Sequence, residues 1–419
     1  MAGRFARVET RRRARGFLLG LLADLPRKNC WTIAEHAGDT DPHGMQHLLG
    51  RASWDTDGVR EDLRDYVTAG LGDSDAVLVV DETGDVKKGA MTVGVQRQYT
   101  GTAGRVENAQ VAVYLTYAGA RGHAMIDREL YLPRSWTGDP DRLAEAGVPE
   151  GIEFLTKPAL AEGMLIRALN AGVPARWVAG DEVYGADPAL RGELEGRRVG
   201  YVLAIGCDRR VPTPAGDLRA DAVTAGVPAR AWQRLSAGPG AKGQRYYDWA
   251  LITLTNPDPK LADPTDPQCW WLLARRHRQT GELAFYRCYS PNVVPLRELV
   301  RVAGRRWTVE ESFQAGKGLA GLDEPQVRRW ISWQRWTLLA MTAHALLAVI
   351  AAGEHAERPA PPGLIALTCN EIRRLFTIFV IDLGRAHTCP EAWSNWRRRH
   401  QHRARTSHYQ RQEASNPWT

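Results

Sequence analysis

Two short apolar runs, each ending in an acidic pair, constrain this chain more than anything else in it. Val77, Leu78, Val79 and Val80 run straight into Asp81 and Glu82, with Gly84 and Asp85 behind them. Trp177, Val178, Ala179 and Gly180 run into Asp181 and Glu182, with Gly185 behind. A brief continuous apolar run, rich in β-branched residues, reads as a strand buried on both faces, which requires a sheet covered by helices. Gly84 is expected to let the chain turn after the first run. Asp81 then stands at the end of a core strand, where a carboxylate is costly unless positive charge meets it. Either Asp alone reads as a solvated turn residue, since Asp suits turns. Two copies of the pattern suggest carboxylates sharing a metal site.

The length of 419 residues allows two or three domains and a large core. A net charge of +7, carried mainly by Arg, favours an anionic partner. Arg suits phosphate because its planar fork binds two oxygens at once, so nucleic acid is the leading partner class. A membrane surface, or charge serving solubility alone, is the alternative. The six cysteines form no Cys-x-x-Cys pair and read as reduced, packed thiols of a cytosolic protein. The apolar stretches at Phe17–Leu22 and Leu338–Ala352 are too short to span a bilayer, so no membrane segment is expected.

In chain order, residues 1–72 read as a helical region, either a module for DNA binding or dimerisation or a structural cap on the next domain. Leu18, Leu21 and Leu22 mark one helix, and Thr32 is expected to cap a second that Gly38 ends. Met45, Leu48 and Leu49 mark a third, and Val59, Leu63 and Val67 a fourth. Residues 73–206 form the first part of an α/β core. After the first strand come Lys87, Lys88 and a loop with Arg97. A hairpin over Val111–Tyr117 and Ala124–Leu132 follows. Pro133–Ile152 reads as a loop, and Pro158–Asn170 as a helix. The second Asp strand precedes a helix opened by Asp187 and Pro188, then a strand at Tyr201–Ile205. Residues 207–291 lose helical periodicity and read as an inserted, mainly β subdomain. Residues 292–355 return to the core, and 356–419 are a helical C-terminal region ending in a basic tail. That tail, Arg397 to Arg405, is either disordered or an arm for a nucleic-acid backbone.

A single helix is expected from Pro295 to about Lys317. Leu296, Val300, Ala303 and Trp307 form one apolar stripe, and Glu310 borders it. Arg306 and Lys317 lie on the same flank. Trp330, Trp333 and Trp336, beside Arg328 and Arg329, open another helix, and Trp at that spacing is more often core than a base-stacking platform.

Taken together, these residues resemble bacterial insertion-sequence transposases with a DDE catalytic core on an RNase H-like fold, in the insertion-sequence-four superfamily and its seven-oh-one-type relatives. Such proteins carry an Asp ending the first strand, an Asp after the fourth, and a Glu on a late helix; Asp81, Asp181 and Glu310 hold those places. The superfamily's Tyr-x2-Arg-x3-Glu-x6-Lys signature is matched at Arg306, Glu310 and Lys317, with Ala303 in place of Tyr. The β insertion before the Glu also matches. The resemblance implies an α/β, RNase H-like mixed-sheet core with a helical N-terminal domain and the inserted subdomain. It implies a DNA transposase that cuts and joins phosphodiesters at the ends of an insertion sequence. Asp81, Asp181 and Glu310 would be catalytic and would hold two Mg²⁺ ions, with Mn²⁺ able to substitute. Two-metal phosphodiester chemistry needs carboxylates around cations about 3.5–4 Å apart. Arg306, Lys317, Lys87, Lys88, Arg97, Arg328 and Arg329 would contact DNA. The partners implied are double-stranded DNA, as terminal repeats and target, and a second copy of the chain in a DNA-bound homodimer, in the bacterial cytoplasm at the nucleoid. Glu82 and Glu182 point away on an extended chain, and Asp85 reads as turn chemistry.

Two rivals stand beside this reading. The run Asp81–Asp85 also resembles the aspartyl-nucleophile loop of haloacid-dehalogenase-type phosphotransferases, with Gly180, Asp181 and Asp187 as their acidic motif; Thr83 replaces their usual second Asp, and Glu310 would then be idle. A non-catalytic DNA-binding descendant of a transposase is the other.

Overall fold

The computed structural model describes residues 1–240, 243–256, 268–381 and 390–414. In chain order its helices and strands are α1 (Val8–Leu22), α2 (Cys30–His36), α3 (His43–Gly50), α4 (Thr56–Leu71), β1 (Val77–Val86), β2 (Gln96–Thr100), β3 (Arg105–Gly119), β4 (Gly122–Leu130), α5 (Arg134–Thr137), α6 (Pro140–Ala146), α7 (Lys157–Asn170), β5 (Trp177–Gly180), α8 (Glu182–Gly185), α9 (Pro188–Gly196) and β6 (Gly200–Ile205). Then come β7 (Arg210–Thr213), β8 (Gly216–Arg219), α10 (Ala220–Ala225), β9 (Gln233–Gly240), β10 (Gly243–Thr253), β11 (Cys269–Arg276), β12 (Leu283–Ser290), α11 (Leu296–Arg305), α12 (Trp307–Ala320), α13 (Trp330–Glu357), α14 (Cys369–Phe376) and α15 (Pro390–Ala414). The chain divides into two compact units. One comprises Met1–Gly72, Glu82–Thr156 and Glu310–His402; the other comprises Asp73–Asp81, Lys157–Val309 and Arg403–Thr419.

In the first unit, α1–α4 form where apolar spacing called for helices. The cap of α2 is Asn29, not Thr32: the Asn29 side chain accepts the Trp31 and Thr32 N–H groups, and Thr32 closes a capping box from the third position. The strands here are the second half of β1 with β3, β4 and β2. β3 pairs antiparallel with both β4 and β2. Arg97, expected in a loop, is on β2 and exposed. The region expected as loop after Pro133 holds α5 and α6, the latter capped by the Asp139 side chain with Pro140 in its first turn. Gly84 makes no turn. β1 continues through it to Val86, and a Cβ at this position would come within 2.4 Å of Thr100 Oγ1, so the glycine admits a close crossing of side chains. Long, apolar α13 forms the centre of this unit. Its Trp333 and Trp336 are 2% and 1% exposed, and Trp336 packs edge-on to Phe17 of α1. They are core residues. α13 alone among the described helices is long and apolar enough to cross a membrane, contrary to the expectation of none, but 78% of its apolar window is buried inside the protein.

In the second unit, the first half of β1 pairs parallel with β5, and β5 pairs parallel with β6. The inserted strands then extend this sheet: β12 pairs antiparallel with β6, and β11, β10 and β9 follow in antiparallel order. The insertion is mainly β, as expected, yet apart from the β7–β8 hairpin its strands join the core sheet. The described chain is thus mixed α/β, with parallel strands at β1, β5 and β6 and antiparallel strands beyond them.

The helix expected from Pro295 to Lys317 is two helices, broken at Arg306. The physical reason lies in the carbonyls before the break. Gly304 O accepts from Arg245 Nη2 at 3.0 Å, and Arg305 O accepts the Thr308 hydroxyl at 2.7 Å. Gly304 also packs directly on the Ala237 carbonyl of β9, where any side chain would collide. The continuous stripe therefore fails: Val300 is buried, but Trp307 is 48% exposed. α12 runs through Gly316 and Gly318 to Ala320, so Lys317 stays on its helix. The basic tail is helical where described, as part of α15; side chains of Arg397 and His400 lie outside the described residues.

Candidate functional site

The register of β1 against β5 pairs Val77 with Trp177, Leu78 with Val178 and Val79 with Ala179. Each pair differs by 100 residues (177 − 77), and so do Asp81 and Asp181 (181 − 81). Carrying the register two residues on sets the two Asp opposite one another, on strands spaced about 4.8 Å apart. Asp81 is 5% exposed and lies within β1, at the point where parallel pairing with β5 gives out. Asp181 follows the last residue of β5 and caps α8, its Oδ1 accepting the Val183 N–H at 2.8 Å.

Positive charge does meet the buried Asp81. Arg306 Nη2 donates to its Oδ2 at 3.2 Å. Arg306 stands at the break between α11 and α12, so the feature that interrupts the expected single helix also carries the residue that meets Asp81. A cation facing it offsets part of the cost of burying this carboxylate.

Glu310 is exposed in the first turn of α12. Its neighbours are clamped. His123, on β4, meets Ser312 Oγ through Nδ1 at 2.7 Å and Glu311 Oε2 through Nε2 at 3.3 Å. With Nε2–H donating to the carboxylate, Nδ1 of a neutral ring is left to accept from the serine hydroxyl. Ser312 is fully buried. One ring thus fixes the two residues after Glu310. Lys317, two turns further on, donates from Nζ to Thr83 Oγ1 at 2.8 Å and to Thr102 Oγ1 at 3.3 Å. It also lies 3.8 Å from Asp85 Oδ1. The Lys317 ammonium therefore ties α12 to the end of β1, two residues past Asp81.

Asp85 is no turn residue. It sits within β1, between Lys317 and Lys87, whose Nζ is 3.8 Å from Asp85 Oδ2. Burial pushes the Asp85 carboxyl up from the usual carboxylate range, against the pull of Lys87 and Lys317. Burial likewise lowers the Lys87 ammonium from its ordinary value, against Asp85. Lys87 Nζ also donates to Pro325 O at 3.0 Å, so this side chain faces inward. Lys88, Arg97, Arg328 and Arg329 are exposed.

The structure thus brings Asp81 and Asp181 to one level of the sheet and puts Arg306 on Asp81. Of the residues expected to contact DNA, it turns Arg306, Lys317 and Lys87 toward protein partners. Sequence reasoning missed the His123 clamp and the Thr83–Thr102–Asp85 seat of Lys317. The partners are 189 residues apart for His123–Ser312 and 234 for Lys317–Thr83, and no local pattern marks them. Among the described residues, no three His, Cys, Asp or Glu side chains form a metal-holding group. The donors at Asp81 and Asp181 are nevertheless carboxylate oxygens, which hard divalent cations prefer.

Comparison with known proteins follows the same line. The chain is 30% identical over 190 residues to a probable transposase for insertion sequence element IS701 from Microchaete diplosiphon, a stretch that is 45% of this chain and 47% of the relative. The chain thus matches about half the length of that curated relative. Among solved structures, the cryo-EM structure of the piggyBac transposase synaptic complex with hairpin DNA aligns over 98% of this chain and 78% of that one, at 10% identity and a TM-score of 0.42. Residues 1–250 match the family described as DDE superfamily endonuclease, a span that includes Asp81 and Asp181, and by that match the chain belongs to the DDE superfamily endonucleases.

Proposed function

We propose that this protein is an insertion-sequence transposase that cuts and joins DNA at the ends of its element, using Asp81, Asp181 and Glu310. The observation that supports the reading is the β1–β5 register, which runs to Val79–Ala179 and, carried two residues further, would set two of these carboxylates opposite one another. The resident cations are Mg²⁺, which on binding would activate the attacking oxygen and stabilise the leaving one. Asp81 and Asp181 would be their first ligands, and Glu310, in the first turn of α12, would be the third. Arg306 is the positive partner of Asp81. Its planar guanidinium would also suit a phosphate oxygen beside the cut, a bidentate contact typical of Arg. His123 and Lys317 hold α12 at both ends of the segment that follows Glu310.

The DNA partner is double-stranded, as element ends and target. Two ends must be joined to one target, which calls for a homodimer on DNA. Lys88, Arg97, Arg328 and Arg329 are the exposed cations that would meet backbone phosphates.

The test is cleavage of a duplex carrying the terminal sequences that flank the coding region, with and without Mg²⁺. Strand cleavage at the element boundary that requires the metal, and 3′-end joining to a second duplex, are expected. Hydrolysis of a small phosphate monoester, with no DNA cleavage, would replace this reading with the phosphotransferase one.

A further inference from the structure

One cavity of the first unit lies outside the carboxylates and their supports. It has a volume of about 180 Å³ and is lined by Ala90, Met91, Trp136, Arg142, Arg328 and Arg329, with Glu145 at the same wall. At about 30 Å³ per liquid water it has room for about six waters, more than a lone ion needs. Three arginines from two separate segments converge on it, against one glutamate. Among the described residues, none of the three makes an ion pair.

The cavity is also built rather than merely charged. The Arg142 guanidinium lies 3.7 Å over the Trp136 ring and donates from Nη2 to Ala90 O at 2.9 Å. Trp136 is itself fixed: it is 1% exposed and its Nε1–H donates to Val95 O at 2.8 Å. The backbone of Arg328 is held by the Val93 N–H, which donates to its carbonyl at 3.0 Å. A guanidinium stacked and tethered in this way has already lost the rotamer freedom that binding would otherwise cost. Its remaining N–H donors, and those of Arg328 and Arg329, are left for an acceptor with several anionic oxygens.

We propose that this cavity is a phosphodiester subsite, in which Arg142, Arg328 and Arg329 together seat a DNA backbone segment away from the scissile bond. The proposal rests on the DNA-cutting reading above and adds Arg142 and Trp136 to it as a preorganised anion seat. Backbone contacts of this kind set the register of a duplex and carry no base sequence.

The test uses the full chain and two fluorescent duplexes, one carrying the element's terminal sequence and one unrelated. Binding is measured across a salt series for the wild type, Arg142→Ala, Arg142→Lys and the double variant Arg328→Ala/Arg329→Ala. Each arginine on a phosphate contributes about 0.9 to the slope of log affinity against log salt. Arg142→Ala is expected to flatten the slope by about one such step, and the double variant by up to two, equally on both duplexes. Arg142→Lys separates a built seat from a diffuse field. It keeps the charge but loses the planar fork, so a seat predicts that it binds as weakly as Arg142→Ala. Arg328 and Arg329 are exposed, so the double variant reports even if Arg142 variants fold poorly. Wild-type binding and slope in the double variant, or in Arg142→Lys, overturn the subsite while leaving Mg²⁺-dependent cleavage by the wild type to support the parent reading. A wild type that neither binds nor cuts either duplex overturns both.

Discussion

Replacing Lys317 by Met discriminates between a lysine that serves the fold and one that faces DNA. The ammonium has two threonine hydroxyls as acceptors, at 2.8 and 3.3 Å, and Asp85 Oδ1 at 3.8 Å. Two unit charges at that distance attract by about 4 kcal/mol at an effective dielectric of about 20. The side chains keep 18% and 15% of their exposure, and Lys87 remains beside Asp85, so solvent and the second lysine cut that figure to about 2 kcal/mol. The lost hydroxyl contacts add about 1 kcal/mol. Asp85 Oδ1 is already buried without a hydrogen-bond partner, so the variant leaves it worse compensated. Lys317→Met is therefore expected to destabilise the first unit by about 3 kcal/mol. Asp85→Asn in the same chain should restore about half of this, since the stranded charge is then gone. Urea unfolding followed by tryptophan fluorescence reads the effect, because Trp333 and Trp336 are core residues of this unit. If Lys317→Met stays within about 0.5 kcal/mol of the wild type, or if the two substitutions are simply additive, the ammonium is not seated as described and its role is on the DNA.

Further outcomes follow from the same geometry. Asp81→Asn, Asp181→Asn and Glu310→Gln should each abolish metal-dependent strand cleavage while far-UV circular dichroism and duplex binding stay near wild type; cleavage retained by any one removes that residue from the ligand set. His123→Ala removes one partner each of Glu311 and Ser312, so cleavage should demand several-fold more Mg²⁺ with little change in unfolding midpoint; an unchanged Mg²⁺ titration would make the clamp irrelevant to Glu310. His344, fully buried in α13 with Nδ1 lacking a partner, has its pKa lowered to about 3 by burial, with a smaller contribution from His123. Its folded pKa is below its unfolded one of about 6.5, so its stabilising neutrality is fully present above pH 6.5 and is lost as pH falls toward 3. Between pH 6.5 and 5 the loss should be about 2 kcal/mol, and His344→Leu should remove that slope; parallel stability curves for the two proteins would contradict it. Gly84→Ala should cost about 1–3 kcal/mol by forcing Thr100 aside, read as a lower unfolding midpoint.

Most of the helices and core strands were legible in local sequence patterns. β-branched runs made β1, β5 and β6 buried strands, and apolar spacing made α1 to α4, α7 and α13 helices. Asp187 with Pro188 opened α9, because a side-chain acceptor and a fixed φ are local properties. The acidic residues closing two core strands were equally visible, since a carboxylate after an apolar run stands out in any window. Other features depended on partners far along the chain. The residue before the break in α11 and α12 looks helical, and only Arg245 and the Ala237 carbonyl, on strands of the inserted region, interrupt it. The offset of 100 that levels Asp81 with Asp181 is a strand register, which side-chain alternation alone leaves open when both faces are buried. Arg306 reaches Asp81 across 225 residues, and His123 reaches Ser312 across 189. Helical-wheel reasoning placed Arg306 and Lys317 on one flank of a single helix, beside Glu310, and directed them to DNA. Tertiary packing turned both inward, because a buried carboxylate at Asp81 and another at Asp85 each require a cation, and these were the cations within reach.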